Sequence, residues 1–323
     1  MAAASRGAPR QQIEATAWNL LLEAVAGEVV EELRRAGHRS LLIKGVTIER
    51  WLYPDEPRQY SDVDILVDPA SLDECERVLV RLGFERSALE RAFEAGRPSH
   101  ASTWTRGSVP LDLHKTVVGV GVAPAEAWNA LSTGTETWVV GSQEAVVPNV
   151  AARALLLTLH LAQHGPDFAR TQEDLHRALA LLSEGDWSAA ADLARSLGAE
   201  TPMAAGLTAV EDGRDLCERL GLRATGPTAV EGSTAFHVAQ GLVWFTQLRG
   251  ARARGRYVAR KFFPPPSLMR SRSRWSRSGP AALAVAYLLR LARLALHVPR
   301  AAWVLARLRS TGSGEESKRQ DDS

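Results

Sequence analysis

The stretch that most constrains this chain is RQYSDVDILVD, residues 58–68. Asp62 and Asp64 are separated by one residue, and the apolar run Ile65, Leu66, Val67 follows. Side chains alternate between the faces of a strand, so a strand here aims both carboxylates the same way. Adjacent carboxylates repel and raise each other's pKa, and a divalent cation removes that penalty. Hard oxygen donors suit magnesium (or manganese), which takes one or two carboxylates and completes its shell with water and substrate phosphate. A bare DxD is also a common solvated turn. Its neighbours give it more meaning: LLIKG at 41–45 upstream, Arg58 and Ser61 just before the first acid, and VPLDLHKTV at 109–117 carrying Asp112 downstream.

Periodicity supplies the frame. Trp18, Leu21, Leu22, Val25, Val29 and Leu33 recur at helical spacing and predict a helix over 11–36 with Gly37 as its C-cap. SLLIK at 40–44 reads as a buried strand, with Gly45 turning the backbone into a helical segment over 46–53 that stops at Pro54. Ser71 or Asp73 is the expected cap of the next helix, ended by Gly83. Residues 101–117 predict a hairpin turning at Arg106-Gly107-Ser108, with Asp112 and His114 on one side of its second arm and Leu111, Leu113 and Lys115 on the other. TWVV and AVVPN predict a further hairpin turning at Gly141-Ser142. From AARALLLTLHLAQHG onward the chain reads as helical, and His160 and His164, one turn apart, read either as ligands or substrate contacts or, first, as polar members of a packing seam. HEXXH is absent, which argues against a zinc protease.

These matches together resemble the DNA polymerase beta-like nucleotidyltransferase superfamily, and within it the family called uncharacterised nucleotidyltransferase. The matching residues are Lys44-Gly45, WLYP at 51–54, Arg58, Ser61-Asp62-Val63-Asp64, LGF at 82–84, LDLH at 111–114, HLAQHG at 160–165 and Asp174-Leu175. The resemblance implies an α+β fold: a small mixed-sheet nucleotidyltransferase domain, residues 1–148, followed by a mostly helical domain over 149–250. It implies transfer of an NMP group from an NTP to an acceptor hydroxyl by a two-metal mechanism. Asp62, Asp64 and Asp112 would be the catalytic and metal-holding acids. Lys44, Gly45, Arg58 and Ser61 would meet the nucleotide, and His114 would orient the acceptor or pack as a structural histidine. The acceptor stays open among a small molecule, a protein and RNA.

Charge separates the ends of the chain. Residues 1–231 carry 22 Lys and Arg against 33 Asp and Glu, whereas residues 232–314 carry 15 basic residues and no acid. A basic connector and amphipathic helix are expected over 251–310, with a disordered tail at 311–323. Arg290, Arg293, His297, Arg300 and Arg307 interrupt the apolar run of 281–309, against a membrane span. The basic stripe suits an anionic membrane surface, nucleic-acid phosphates or the acidic half of the same chain. A different reading of the whole follows: a catalytically silent nucleotide- or metal-binding module that docks through this helix. Cys75 and Cys217 lie far apart and suggest neither a disulfide framework nor a zinc site. With no signal-peptide-like run at the N-terminus, they predict a cytoplasmic protein, peripheral to the membrane if the basic helix binds lipid.

Overall fold

The computed structural model describes residues 7–87, 100–164, 169–223 and 279–292, with isolated positions between. The chain divides into two compact units, one of residues 1–87 and 100–224 and one of 88–99 and 225–323. In the first, helix α1 (Gly7–Arg35) leads to strand β1 (Ser40–Ile43), helix α2 (Gly45–Leu52), strand β2 (Val63–Val67), helix α3 (Leu72–Arg81) and strand β3 (Glu85–Arg86). Strands β4 (Ala101–Arg106) and β5 (Val109–His114), helix α4 (Pro124–Leu131) and strands β6 (Glu136–Val140) and β7 (Gln143–Val147) follow. Helices α5 (Val150–His164), α6 (Ala169–Leu181), α7 (Glu184–Ser196), α8 (Glu200–Leu207) and α9 (Glu211–Arg219) complete it. The architecture is α+β, a small mixed sheet followed by helices.

The five-stranded sheet has the order β1-β2-β5-β4-β3, and β6 pairs with β7 separately. Only β2 and β5 run parallel; the other pairs are antiparallel. Alternation sorts the strands onto two faces. Leu42, Val63, Ile65, Leu111 and Leu113 pack with Leu22, Val29 and Leu33 of α1 and with Val78 and Leu79 of α3. Leu41, Ile43 and Leu66 point the other way, into a core shared with Leu155 and Leu159 of α5 and Leu175 of α6. Asp64, Asp112 and His114 belong to this second face by the same alternation. Asp64 and Asp112 therefore lie on the side of the sheet that α5 and α6 cover, opposite α1 and α3.

Both hairpins turn where left-handed backbone is required: Gly107 has φ of 60°, and Gly141 and Ser142 have φ of 55° and 68°. The helix after β2 is entered differently from the expectation. Neither Ser71 nor Asp73 caps it through a side chain; instead Asp68 Oδ1 accepts from the Ala70 amide at 2.9 Å and caps a short 3-10 turn that runs into α3. Helix α8 meets α5 backbone to backbone, since a Cβ on Gly206 would overlap the Thr158 carbonyl. That close approach seats the helix that faces the acids.

In the second unit, residues 280–292 are helical, including Arg290. The remaining basic positions predicted there, Arg293, His297, Arg300 and Arg307, lie outside the described residues, as does the predicted tail. Among the described residues no helix is long and apolar enough to cross a membrane.

Candidate active site

Asp64 sits in β2 directly opposite Asp112 of β5 in the parallel ladder. Asp62 lies one residue ahead of the strand, which begins at Val63. The Asp64 carboxylate accepts on Oδ1 from Lys44 Nζ at 2.8 Å, and His114 Nε2 lies 2.8 Å from the same oxygen. Asp112 Oδ1 accepts from Thr103 Oγ1 at 2.6 Å, across the β4–β5 pair. Ser61 Oγ donates to Asp62 Oδ1 at 3.0 Å, so this hydroxyl is spent on the neighbouring acid.

The electrostatics of the three acids differ. Burial raises the pKa of Asp62 to about 6, and Asp64 and Asp112 push it the same way. Burial also raises Asp112, with Asp64 adding to it against the Thr103 hydrogen bond. Asp64 is the exception: burial works against its charge, but Lys44 and His114 hold it well below the usual carboxylate range. Burial likewise opposes the Lys44 charge, and Asp64, Asp112 and Asp62 outweigh it, so the ammonium is held more firmly than in water. The cluster as a whole keeps more negative charge than Lys44 neutralises.

This donor set fits a hard divalent cation. Asp64, Asp112 and His114 each offer one ligand atom, all within 4.8 Å of one another. Asp62 stands outside that tight trio but is coupled to it through charge. The imidazole of His114 is buried at 1% exposure, with its Nδ1 lacking a hydrogen-bond partner. Its Nε2, 2.8 Å from Asp64 Oδ1, fixes the orientation of that carboxylate.

The remaining residues expected at the site are placed as follows. The unusual backbone at the β1–α2 junction belongs to Lys44 (φ 54°, ψ −139°) and not to Gly45. Gly45 opens α2, and its lack of a side chain lets Tyr60 and the Asp62 carbonyl close in; a Cβ would stand 3.1 Å from the Tyr60 ring. Arg58 does not join the acid cluster. Its Nε and Nη2 donate to the two oxygens of Asp174 on α6, each at 2.6 Å, and Tyr53 Oη donates to the same carboxylate at 2.8 Å. The loop into Asp62 is thereby pinned, with further donors at its carbonyls: Asn19 to Arg58 at 3.0 Å and Arg170 to Gln59 at 2.8 Å.

Sequence reasoning passed over two features of this region. Asp174 is a fully buried carboxylate that anchors Arg58 from 116 residues away, and an i,i+4 or i,i+2 pattern has no means of announcing such a pair. His160, read first as a packing residue with a site contact as the other reading, lies within electrostatic reach of the site. Burial lowers its pKa to about 3, helped by the charge of Lys44 and by His164, whose ring stands edge-on at 4.5 Å. It is a neutral imidazole on the helical wall.

The family described as uncharacterised nucleotidyltransferase matches residues 9–212, a span that holds the sheet, all three acids and the helices through α8. A comparison with curated proteins finds no match. Among solved structures, the antibiotic-resistance factor ANT(2'')-Ia is 13% identical, with 56% of this chain and 93% of that one covered and a TM-score of 0.40. An antigenic nucleotidyltransferase-like protein from Paracoccidioides brasiliensis is 15% identical, covering 67% and 96%, with a TM-score of 0.36. A tRNA nucleotidyltransferase crystallised with a primer tRNA and an ATP analog is 12% identical, covering 88% and 99%, with a TM-score of 0.26.

Proposed function

Since the chain belongs to the uncharacterised nucleotidyltransferase family, we propose that it moves an NMP group from an NTP to an acceptor hydroxyl and releases pyrophosphate. The observation that carries this reading is the Asp64–Asp112 register on the face of the sheet that meets α5 and α6, with Lys44 bonded to Asp64 and Asp62 one residue ahead of the strand. Magnesium or manganese held by Asp62, Asp64 and Asp112 would stabilise charge on the attacking and leaving oxygens of an in-line displacement. Asp112 suits the role of proton acceptor for the incoming hydroxyl, because it stands beside Asp64 across the parallel ladder with one oxygen held by Thr103. Lys44 and the amides that open α2 face the triphosphate, as helix N-termini favour anions. His114 holds Asp64 in orientation. Arg58, committed to Asp174, holds the loop that presents Asp62 rather than the phosphates.

The acceptor is a small molecule, a protein side chain or an RNA end, and one assay distinguishes them. Purified protein is incubated with each labelled NTP, magnesium and cell extract, and the labelled product is identified. Transfer of label from an NTP, lost when Asp62 and Asp64 are both replaced by Asn, is the expected result. Transfer that survives the double replacement puts the chemistry elsewhere. Absence of both transfer and NTP binding leaves a silent module.

A further inference from the structure

Lys44 occupies a position that two different charges compete for. Its Nζ donates to Asp64 Oδ1 at 2.8 Å, and it is also within electrostatic reach of Asp112 and Asp62. One ammonium thus stands against the Asp64 carboxylate, which together with Asp112 would hold a divalent cation. Asp64 Oδ1 is shared further with His114 Nε2 at 2.8 Å, so a cation reaching this oxygen displaces a donor. Of the two, Lys44 is the one able to leave. The His114 side chain is 2% exposed, whereas the Lys44 side chain is 19% exposed on a flexible four-carbon stem.

The backbone gives Lys44 a second destination. The residue sits at φ 54°, ψ −139°, a conformation rarely taken outside glycine and held only where the surroundings fix it. That geometry places Lys44 immediately before the first turn of α2, and the N-terminal end of a helix favours an anion. The same residue therefore adjoins the acids through its ammonium and the phosphate-favouring helix end through its main chain.

We propose that Lys44 is a resting counter-ion, paired with Asp64 in the cation-free site, displaced when a divalent cation binds, and then taken up by the triphosphate of the NTP. Cation and nucleotide are coupled as a result. The cation alone must expel an ammonium and binds weakly; the nucleotide accepts that ammonium and removes the competitor. By linkage the coupling is reciprocal, so each ligand tightens the other by the same factor. The nucleotide half of this inference rests on the nucleotidyl-transfer reading; the cation half does not.

The test is acylation of lysines in the full-length protein, read by mass spectrometry, with Lys115 as the internal reference. Three conditions are compared: chelator, saturating Mg2+, and Mg2+ with a non-hydrolysable ATP analog. Lys44 is expected to react slowly in chelator, several-fold faster with Mg2+ alone, and slowly again once the analog is added. Reactivity of Lys44 that does not change with Mg2+ overturns the proposal. Mn2+ titration by electron paramagnetic resonance supplies the independent arm. Replacing Lys44 by Met should tighten Mn2+ binding without nucleotide by about tenfold and abolish its enhancement by the analog, on the usual scale of such couplings. Equal Mn2+ affinity in the variant and the natural protein overturns the proposal, and circular dichroism checks that the variant folds. Release of Lys44 by Mg2+ without re-protection by the analog overturns the hand-over, and the labelled-NTP transfer assay decides separately whether the nucleotidyl-transfer reading stands.

Discussion

Arg58 and Lys44 are both basic residues set against carboxylates, one after α2 and one before it, and they are built for opposite purposes. The Arg58–Asp174 pair is closed: side-chain exposures are 8% and 0%, both carboxylate oxygens accept from the guanidinium, and Tyr53 adds a third donor. A bidentate guanidinium fork matches a carboxylate in both shape and charge, and nothing is left over for a ligand. The Lys44–Asp64 pair is open by comparison. It has a single bond to one oxygen, a partly exposed lysine side chain and two further acids that act on the ammonium through charge. The first arrangement joins the loop after α2 to the helical layer. The second holds charge that is ready to be exchanged. Burial alone does not separate a clamp from a site; the count of charges and donors does.

The contrast breaks most sharply at Arg58. Replacing Arg58 with Ala strands the fully buried Asp174 carboxylate, and removing one partner of a buried pair costs about 3–5 kcal/mol. Urea unfolding should report that loss, and the activity that remains should fall with the folded fraction and not through a selective effect on NTP affinity. Asp64→Asn comes next and has the reverse profile. The protein should stay folded by circular dichroism while NMP transfer drops by about 10²–10³-fold or more, the scale of losing one preorganised electrostatic group.

Asp62 sharpens the open side of the comparison through pH. Its folded-state pKa of about 6 lies above the ordinary 3.8, so the folded protein favours the protonated form. Its contribution to stability is therefore greatest below about pH 4 and is lost as pH rises through about 6. In chelator at pH 7, Asp62→Asn should stabilise the protein by about 1–3 kcal/mol, the gain should vanish near pH 4, and Mg2+ should erase or reverse it. Thermal melts at the two pH values with and without Mg2+ give the answer. The smallest effect is expected at Arg177, which links the same two layers from the surface. It lies over the Tyr53 ring at 4.1 Å and pairs with Glu56 and Glu173 in the open. Arg177→Ala should shift Tm by no more than about 2 °C, as exposed pairs contribute little.

Local pattern made much of this legible in the sequence. The alternation around Asp62 and Asp64, the turn residues Gly107 and Gly141-Ser142, and the apolar run before Lys44 each describe a strand or turn using only adjacent residues, and the elements appear where those signals lie. The acids share an electrostatic cluster because strand alternation and the LDLH arm put Asp64, Asp112 and His114 on one face. What stayed hidden depends on distance along the chain. Asp174 carries no local mark of its pairing with Arg58. His160 gained its setting only when α5 was laid across the acid-bearing face. The entry into α3 was misread for a third reason: Asp68 competes with Ser71 and Asp73 for the same role, and all three are good caps by type.

The single parallel pairing in the sheet, β2 with β5, has a consequence for how the protein is made. Parallel neighbours need a long crossover, here residues 68–108, whose closure must precede any contact between the two strands. No nascent chain shorter than 112 residues possesses the carboxylate pair, and none that ends before 174 possesses the clamp on its loop. Until β5 arrives, β2 is an edge strand whose Val63, Ile65, Leu66 and Val67 have a free hydrogen-bonding rim, the configuration most open to pairing with another chain. During synthesis the segment that later carries the chemistry is thus the one most in need of shelter, and the acids flanking its apolar run, Asp62, Asp64 and Asp68, act at that stage as charges that keep neighbouring chains apart.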